Sequence, residues 1–305
     1  MKNNINCIIL CAGSGSRMKD ETKNKVCFEI NGKPAVVRII ENLKNCGVEK
    51  FILVVGNKSE SVMKETAGIK GVTFAYQKEQ SGTGNAAMCG LNIINDFNVD
   101  GPVLTVMGDK VIDKSVFKAL IDDFYTKDSD ISMITQPSDF NKSGGKIVLS
   151  ENKVEAIVEH MDVLLLKVIE ELEKGKELSA IYKELNLTER ETGKINSKLS
   201  QADAEKKSYI EINGKKYSSD DILSSNLVNC ATYLHKRDAL NNSINSLDSN
   251  NAQNEIYFTD TIKQVARYGH VSFVVVQDKK LIQTFNTMEE LQAINNSFLE
   301  ERTNG

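Results

Sequence analysis

Short apolar runs alternate with longer amphipathic segments through the first half of the chain, and this alternation constrains the fold more than any other feature. The apolar runs are rich in β-branched residues, whereas the segments between them repeat their apolar positions with a helical period. Such alternation predicts βαβ units, and hence an α/β protein with a Rossmann-like, mostly parallel sheet and helices on both faces. The predicted strands are 5–11, 51–55, 72–76, 102–107 and 130–135, and the predicted helices are 34–46, 59–67, 84–96 and 114–125.

The pattern changes after Gln136. Hairpin-like segments come first, a strongly helical stretch at 161–225 follows, and apolar runs then return. We predict a single domain over 1–305 with a helical insertion at 161–225. The additional strands are predicted at 145–149, 153–158, 226–234 and 271–276.

The insertion contains three helical patterns. Thr188 and Glu191 form a capping box that predicts the start of the third helix, and 209–217 predicts a hairpin on an Asn-Gly turn. Residues 178–199 have the spacing of a helix-turn-helix unit, which raises DNA binding as an alternative. Because 161–225 hold 11 Lys or Arg against 13 Asp or Glu, we prefer a flap or a homo-oligomer contact. The first two helices are indicated by Leu165, Val168, Ile169 and Leu172, and by Leu178, Ile181, Tyr182 and Leu185.

Composition excludes several other classes of protein. A net charge of −4 and a pI near 5.6 make nucleic-acid binding unlikely as a default. No apolar stretch approaches the ~20 residues that span a bilayer, and the chain starts without a signal-peptide pattern, so we expect a cytoplasmic protein without a membrane partner. Six cysteines lack metal or disulfide spacing and are expected to be free thiols.

A glycine and serine loop, residues 11–16, follows the first predicted strand and ends at Arg17. Gly13 and Gly15 can take positive φ and let backbone N–H groups approach an anion, while Arg17 supplies charged donors. Met18 rules out the dinucleotide fingerprint, and no Walker lysine follows. The loop is therefore a candidate phosphate-binding loop.

Two further segments are predicted at the same edge of the sheet. The segment 77–86 opens a helix and carries Gln77, whose amide can both donate to and accept from a base edge; an ordinary helix capped by Thr83 is the alternative. Gly108 and Asp109 end the fourth strand, where a carboxylate can bind Mg²⁺ and link it to phosphate oxygens, or can simply cap a helix.

These segments together resemble the nucleotidyltransferases that join a nucleoside triphosphate to a sugar 1-phosphate. The chain is most similar to the uridylyltransferase domain of N-acetylglucosamine-1-phosphate uridyltransferases. The resemblance implies the nucleotide-diphospho-sugar transferase fold, with 1–136 binding nucleotide and 137–160 and 226–305 binding sugar. Its nucleotide motifs appear here as Leu10-Cys11-Ala12-Gly13-Ser14-Gly15-Ser16-Arg17-Met18, Asn24-Lys25-Val26, Gln77 to Ala86, and Gly108-Asp109.

The resemblance extends to the sugar side. The family's glycine, glutamate and asparagine correspond to Gly145, Glu159 and Asn229, although Ala231 stands where the family has glycine. Asn286 corresponds to the second metal ligand; a capped carboxyl-terminal helix is the alternative. The matching segments are Gly144 to Val148, Ile157 to His160, Asn229 to Ala231, Asn251 to Asp260 and Thr284 to Leu291.

The resemblance implies transfer from UTP to a sugar 1-phosphate with Mg²⁺ as cofactor. Arg17 and Lys25 would be catalytic, with Lys23 a substitute for Lys25 because the proline before it is missing, and Asp109 and Asn286 would hold the metal. A cytidylyl- or thymidylyltransferase, or a noncatalytic sensor that uses the insertion to bind DNA or a protein, remain alternatives. The implied nucleotide-binding residues are Leu10, Ala12, Gly13, Gly15, Ser16, Gln77, Gln80, Gly82 and Thr83.

Overall fold

The computed structural model describes residues 4–201 and 207–303. Within them the strands are β1 (Asn6–Leu10), β2 (Glu29–Ile30), β3 (Lys33–Pro34), β4 (Lys50–Val55), β5 (Val72–Tyr76), β6 (Val103–Met107), β7 (Lys110–Ile112), β8 (Ile131–Pro137), β9 (Lys146–Ser150), β10 (Lys153–Val158), β11 (Ile210–Ile212), β12 (Lys215–Tyr217), β13 (Leu227–His235), β14 (Val271–Val275) and β15 (Ile282–Thr284).

Within the described residues, the helices cover every helical segment that the sequence predicts, and four more follow residue 218. They are α1 (Ala35–Lys44), α2 (Ser59–Thr66), α3 (Thr83–Asp96), α4 (Lys114–Thr126), α5 (His160–Glu173), α6 (Leu178–Glu184), α7 (Glu189–Leu199), α8 (Ser219–Leu223), α9 (Arg237–Ile244), α10 (Asp260–Ala266) and α11 (Met288–Thr303). The predicted capping box of α7 and the hairpin β11–β12 are also confirmed. No described helix is long and apolar enough to cross a membrane.

The central sheet has the strand order β10-β9-β13-β6-β1-β4-β5, with β8 beside β13 and β14 beside β8. β1 pairs in parallel with both β4 and β6, and β4 pairs in parallel with β5. β13 runs antiparallel to β6 and β8 and also reaches β9, so it joins the two halves of the sheet. The predicted α/β fold class, a mostly parallel sheet with helices on both faces, is confirmed.

Alternating side chains of the central strands supply two hydrophobic cores, one on each face. Cys7 and Ile9 of β1 face the core that α1, α2 and α4 cover, whereas Ile8 and Leu10 face the core that α3, α9 and α10 cover. A smaller core forms among α5, α6 and α7, where Val168, Ile181 and Ile195 are buried. Residues 202–206 of the predicted insertion lie outside the described residues.

Candidate active site

The loop after β1 is held against the neighbouring strands. The amide of Cys11 donates to the carbonyl of Val54 at 2.8 Å, and the chain then leaves the sheet. Gly15 has a φ of +60° and precedes a short 3-10 helix at Ser16–Met18. Gly13 does not use a positive φ; a Cβ there would meet no atom within 4 Å, so this glycine leaves its backbone uncovered. Positive φ is therefore needed only at Gly15.

The buried side chain of Asn24 supports this loop through hydrogen bonds. The sequence gives no local signal for this role. The Nδ2 of Asn24 donates to the carbonyls of Cys11 at 3.0 Å and Asn57 at 2.8 Å. Its Oδ1 accepts from the amide of Val26 at 3.1 Å, which caps the 3-10 helix that carries Lys25. The residue in place of the family's proline thus ties the phosphate loop to the lysine.

Four predicted site residues meet in one cluster. Lys25 Nζ lies 2.5 Å from Asp109 Oδ2 and 2.9 Å from Asn286 Oδ1. Arg17 Nη2 donates to the same Asn286 oxygen at 2.8 Å. Lys23, the alternative to Lys25, instead forms a surface ion pair with α2. The geometry therefore favours Lys25 as the lysine of the site.

Asp109 and Asn286 offer two oxygen ligands of the kind that Mg²⁺ prefers. Both oxygens lie within 2.9 Å of one ammonium group, so they face a common point. Mg²⁺ commonly binds proteins through one or two carboxylates and completes its shell with phosphates and water. In the described parts of the chain, no group of three or more His, Cys, Asp or Glu is placed to hold a metal. The residues present fit a metal that arrives with a nucleotide.

The cavity over the phosphate loop has a volume of about 200 Å³. Arg190, from the first turn of α7, also lines it, which the sequence analysis did not anticipate. Ala12 is buried beneath the loop instead. The predicted residues that line the cavity are Leu10, Gly13, Gly15, Ser16, Arg17, Lys25, Asp109 and Asn286.

The loop after β5 joins the phosphate loop through Gln80, whose Nε2 donates to the carbonyl of Ala12 at 2.9 Å. Gln77 is buried, and its Nε2 donates to Gly82 O at 3.2 Å and to Asn85 Oδ1 at 2.9 Å. The Nε2 group of Gln77 therefore holds its own loop in shape. The predicted contact of Gln77 with a base stays a prediction.

Gly82, and not Thr83, is the N-cap of α3. Gly82 has a φ of +117°, and a Cβ there would lie 2.5 Å from the carbonyl oxygen of Ile256. The Thr83 hydroxyl accepts from the amide of Phe258 at 3.1 Å. Gly82 thus lets the loop after β5 pass close to the segment 251–258, and Thr83 hydrogen-bonds to that segment.

The three predicted sugar-side residues lie side by side. The amide of Asn229 donates to the carbonyl of Gly145 at 2.9 Å, and a Cβ on Gly145 would lie 3.3 Å from Glu159 Oε2. Asn229 also donates to the hydroxyl of Tyr233 at 2.6 Å and accepts from the amide of Ala231 at 2.9 Å. Asn229 lines one cleft, and Asn286 lines both this cleft and the cavity over the phosphate loop. Glu159 lines a different cleft.

Glu159 is the most perturbed carboxyl near the site. Its pKa is raised to about 7, chiefly by burial; a hydrogen bond of 2.9 Å from the Thr259 hydroxyl opposes this shift, and the nearby Asp162 and Asp260 add to it. Burial likewise raises the pKa values of Asp162 and Asp260 to about 6. The pKa values of these three neighbouring carboxyls are thus all raised toward neutral pH.

Burial favours the neutral forms of the two nearby histidines and of the adjacent thiol. Burial lowers the pKa of His235 to about 3, and burial also lowers the pKa of His160 against the effect of Glu191. Burial raises the pKa of Cys11 well above its usual value, and the side chain packs in the core. All six cysteines are free thiols.

A largely parallel sheet with a phosphate loop, a base-side loop and a Lys-Asp-Asn cluster at one edge defines a nucleotide-binding transferase. The family model of the MobA-like NTP transferase domain matches residues 7–189, more than half of the chain. The chain belongs to this family of NTP transferase domains.

Curated relatives include two bifunctional GlmU proteins. The protein from Acetivibrio thermocellus is 30% identical over 287 residues, which cover 93% of this chain and 49% of the relative. The protein from Caldicellulosiruptor saccharolyticus is 29% identical and is covered to 50% of its length. The chain thus spans about half the length of the curated relatives it matches.

Two solved structures share the fold, each with a TM-score of 0.64. One is UDP-glucose pyrophosphorylase in complex with UDP-glucose, at 16% identity over 99% of this chain and 100% of that chain. The other, from Bacillus anthracis, is described as a glucose-1-phosphate thymidylyltransferase, at 15% identity over 96% and 94%. At these identities the likeness shows the fold alone.

Proposed function

We propose that this protein transfers the uridylyl group of UTP to a sugar 1-phosphate, with N-acetylglucosamine 1-phosphate as the first candidate acceptor. The observation that carries the proposal is the convergence of Arg17, Lys25, Asp109 and Asn286 on one cavity beside the glycine loop. The similarity to GlmU proteins over 93% of the chain supports the same substrates. In this proposal 1–136 bind nucleotide, and 137–160 with 226–305 bind sugar phosphate.

The reaction needs charge neutralisation and positioning more than it needs a base. A sugar 1-phosphate is already anionic, so its oxygen can attack the α-phosphorus without losing a proton first. The new P–O bond forms in line with the bond to pyrophosphate, which breaks and leaves with its electron pair. Arg17 and Lys25 would donate to phosphate oxygens as negative charge accumulates during the attack.

Asp109 and Asn286 would hold Mg²⁺ in this proposal. When bound, the metal would neutralise phosphate charge and align the reacting groups. Lys25 contacts both oxygens now, and its ammonium can instead bind a phosphate when the nucleotide arrives. In this proposal the protein contributes a lysine that binds phosphate directly and two oxygen ligands, from Asp109 and Asn286, that would hold the metal.

A direct assay tests which nucleotide base and which sugar phosphate the protein uses. Pyrophosphate release is measured with UTP, CTP, dTTP, ATP and GTP against N-acetylglucosamine 1-phosphate and glucose 1-phosphate, with Mg²⁺ and with a chelator. We expect release with UTP that the chelator abolishes. Release only with dTTP or CTP would replace the proposed base, and absence of release from every pair would favour the noncatalytic sensor.

Two variants tie the assay to the site. Arg17→Ala and Asp109→Ala should each lower turnover on the order of 10²-fold or more, as removal of a single transition-state donor does in other enzymes. Lys23→Ala is the matched control, because Lys23 lies nearby in sequence but pairs at the surface. Near-normal turnover in Arg17→Ala or Asp109→Ala would refute the assigned roles.

A further inference from the structure

The first turn of α7 lies at the mouth of the phosphate cavity. The Thr188–Glu191 capping box fixes where the helix begins, and Ile195 is buried in the small core with Val168 and Ile181. Arg190 is the second residue of the helix, is exposed, and lines the cavity together with Arg17 and Lys25. A segment far from the glycine loop in sequence thus reaches the same cavity.

Contacts at both ends hold α7 over the site. Near its start, Glu191 Oε1 lies 3.6 Å from Nε2 of His160, the residue that follows Glu159. Near its end, Lys198 Nζ donates to Asn254 Oδ1 at 3.1 Å, and Lys194 donates to the side chain of Gln253. The same 251–256 segment continues to Ile256, whose carbonyl accepts from the amide of Gly84 at 2.7 Å. The helix is therefore anchored to His160 and to the 251–256 segment, and that segment in turn contacts the start of α3.

Within the described residues, the groups that line the cavity supply no ion pair to Arg190. Lys25 is paired with Asp109, the one carboxylate among the lining residues, and Arg17 donates to Asn286. Over residues 4–201 and 207–303, Arg190 has no ion pair or side-chain hydrogen bond. Three cations against one carboxylate give the cavity an excess of positive charge that suits a polyphosphate.

We propose that Arg190 binds the phosphates of the nucleoside triphosphate, and the pyrophosphate that leaves, as a ligand supplied by the insertion to its own chain's site. This inference rests on the proposed function. A guanidinium presents a planar fork of donors that matches two phosphate oxygens, and its charge is retained at any physiological pH. The family model ends at residue 189, so Arg190 lies outside the stretch that it matches.

The test compares Arg190→Ala with Lys183→Ala, which removes an exposed cation from α6 of the same insertion. Initial rates give KM for UTP, for the sugar phosphate and, in the reverse reaction, for pyrophosphate. For Arg190→Ala we expect KM for UTP and pyrophosphate to rise about tenfold or more, the loss typical of one charge-assisted hydrogen bond, with little change for sugar phosphate. Arg190→Lys should recover part of the loss, and Lys183→Ala should match the wild type.

Calorimetric titration with Mg²⁺ and pyrophosphate separates this inference from the proposed function. An active wild type whose KM values and pyrophosphate affinity are unchanged by Arg190→Ala overturns the role of Arg190 and leaves the proposed function standing. A wild type that binds pyrophosphate through Arg190 but releases none from any triphosphate supports the ligand and refutes the transfer. A wild type with neither property refutes both.

Discussion

Ala231 holds a backbone conformation that most side chains avoid. Its φ is +51°, and it lies where β13 changes register between Asn229 and Tyr233. The left-handed conformation costs a residue with a Cβ roughly 1–2 kcal/mol. Ala231 therefore keeps the backbone conformation that suits the family's glycine. The turn around Asn229 is retained, but at a cost in stability.

Ala231→Gly should stabilise the protein. Relief of the backbone strain exceeds the entropy that glycine adds to the unfolded chain, so we expect a gain of about 0.5–1 kcal/mol in the free energy of unfolding. Urea denaturation measures it. Ala67→Gly is the control, because Ala67 is exposed with a φ of −56° and should lose stability. Equal losses in both variants would contradict the strain at Ala231.

The raised pKa of Glu159 predicts the sign of a pH effect. A carboxyl whose pKa is about 7 in the folded protein and near 4.5 when unfolded binds more protons in the folded state between these values. Its contribution to stability is therefore favourable at low pH relative to neutral pH, and it is lost as pH rises from about 4.5 to 7. Asp162 and Asp260 act in the same direction.

Glu159→Gln should accordingly raise Tm at pH 8 while leaving it near the wild-type value at pH 4.5. Thermal unfolding across this range measures the difference. Glu173→Gln, an exposed carboxyl of α5, is the control and should show no such trend. If Glu159 binds the sugar, the same variant should weaken sugar-phosphate binding and leave UTP binding intact. A Tm difference that does not depend on pH would contradict the assignment.

At the scale of elements, the phosphate loop depends on a buried and uncharged side chain, that of Asn24. Asn24→Ala would remove donors from the carbonyls of Cys11 and Asn57 and the cap from Val26. Because unsatisfied buried polar groups cost about 1–3 kcal/mol each, we expect a loss of roughly that size in stability. KM for UTP should also rise, because the loop and Lys25 lose their common support.

Asn42→Ala provides the comparison for Asn24→Ala. Asn42 donates one side-chain hydrogen bond, to the carbonyl of Ile112 at 2.8 Å, and lies on α1 away from the cavity. It should lower stability in urea denaturation without changing KM for UTP. A normal KM in Asn24→Ala would show that the loop keeps its shape without this amide.

Most of the elements were predictable from their local patterns, including β9, β10, β13 and β14, whereas the partners and directions of the strands that pair over long distances were not. The strands β1 and β4 each carry an apolar run of four or five buried residues, as parallel strands inside a sheet do. The direction of β13 is not encoded in its own residues, since the same run can pair either way. The polar helix α11 also lacks a clear apolar stripe, and its position depends on packing near Met18 and Ile30.

For the whole molecule, the sequence located the loops of the site but not the contacts among them. Glycines and acidic residues at strand ends have local signatures, so Gly15 and Asp109 were identifiable. Asn24 and Arg190 have none: one matters because it is buried under a loop, and the other because α7 folds over a cavity formed by distant segments. Such residues become visible only when the helices are placed in space.

The position of β13 also sets an order of events during synthesis on the ribosome. β13 lies between β6 and β8 and follows the whole of 161–225, so those two strands are made long before their common neighbour. Until residue 235 has emerged, the growing chain has unpaired strand edges, which are templates for association with other chains. Synthesis of residues 161–225 therefore prolongs the interval in which these strand edges of the nascent chain can pair with other chains.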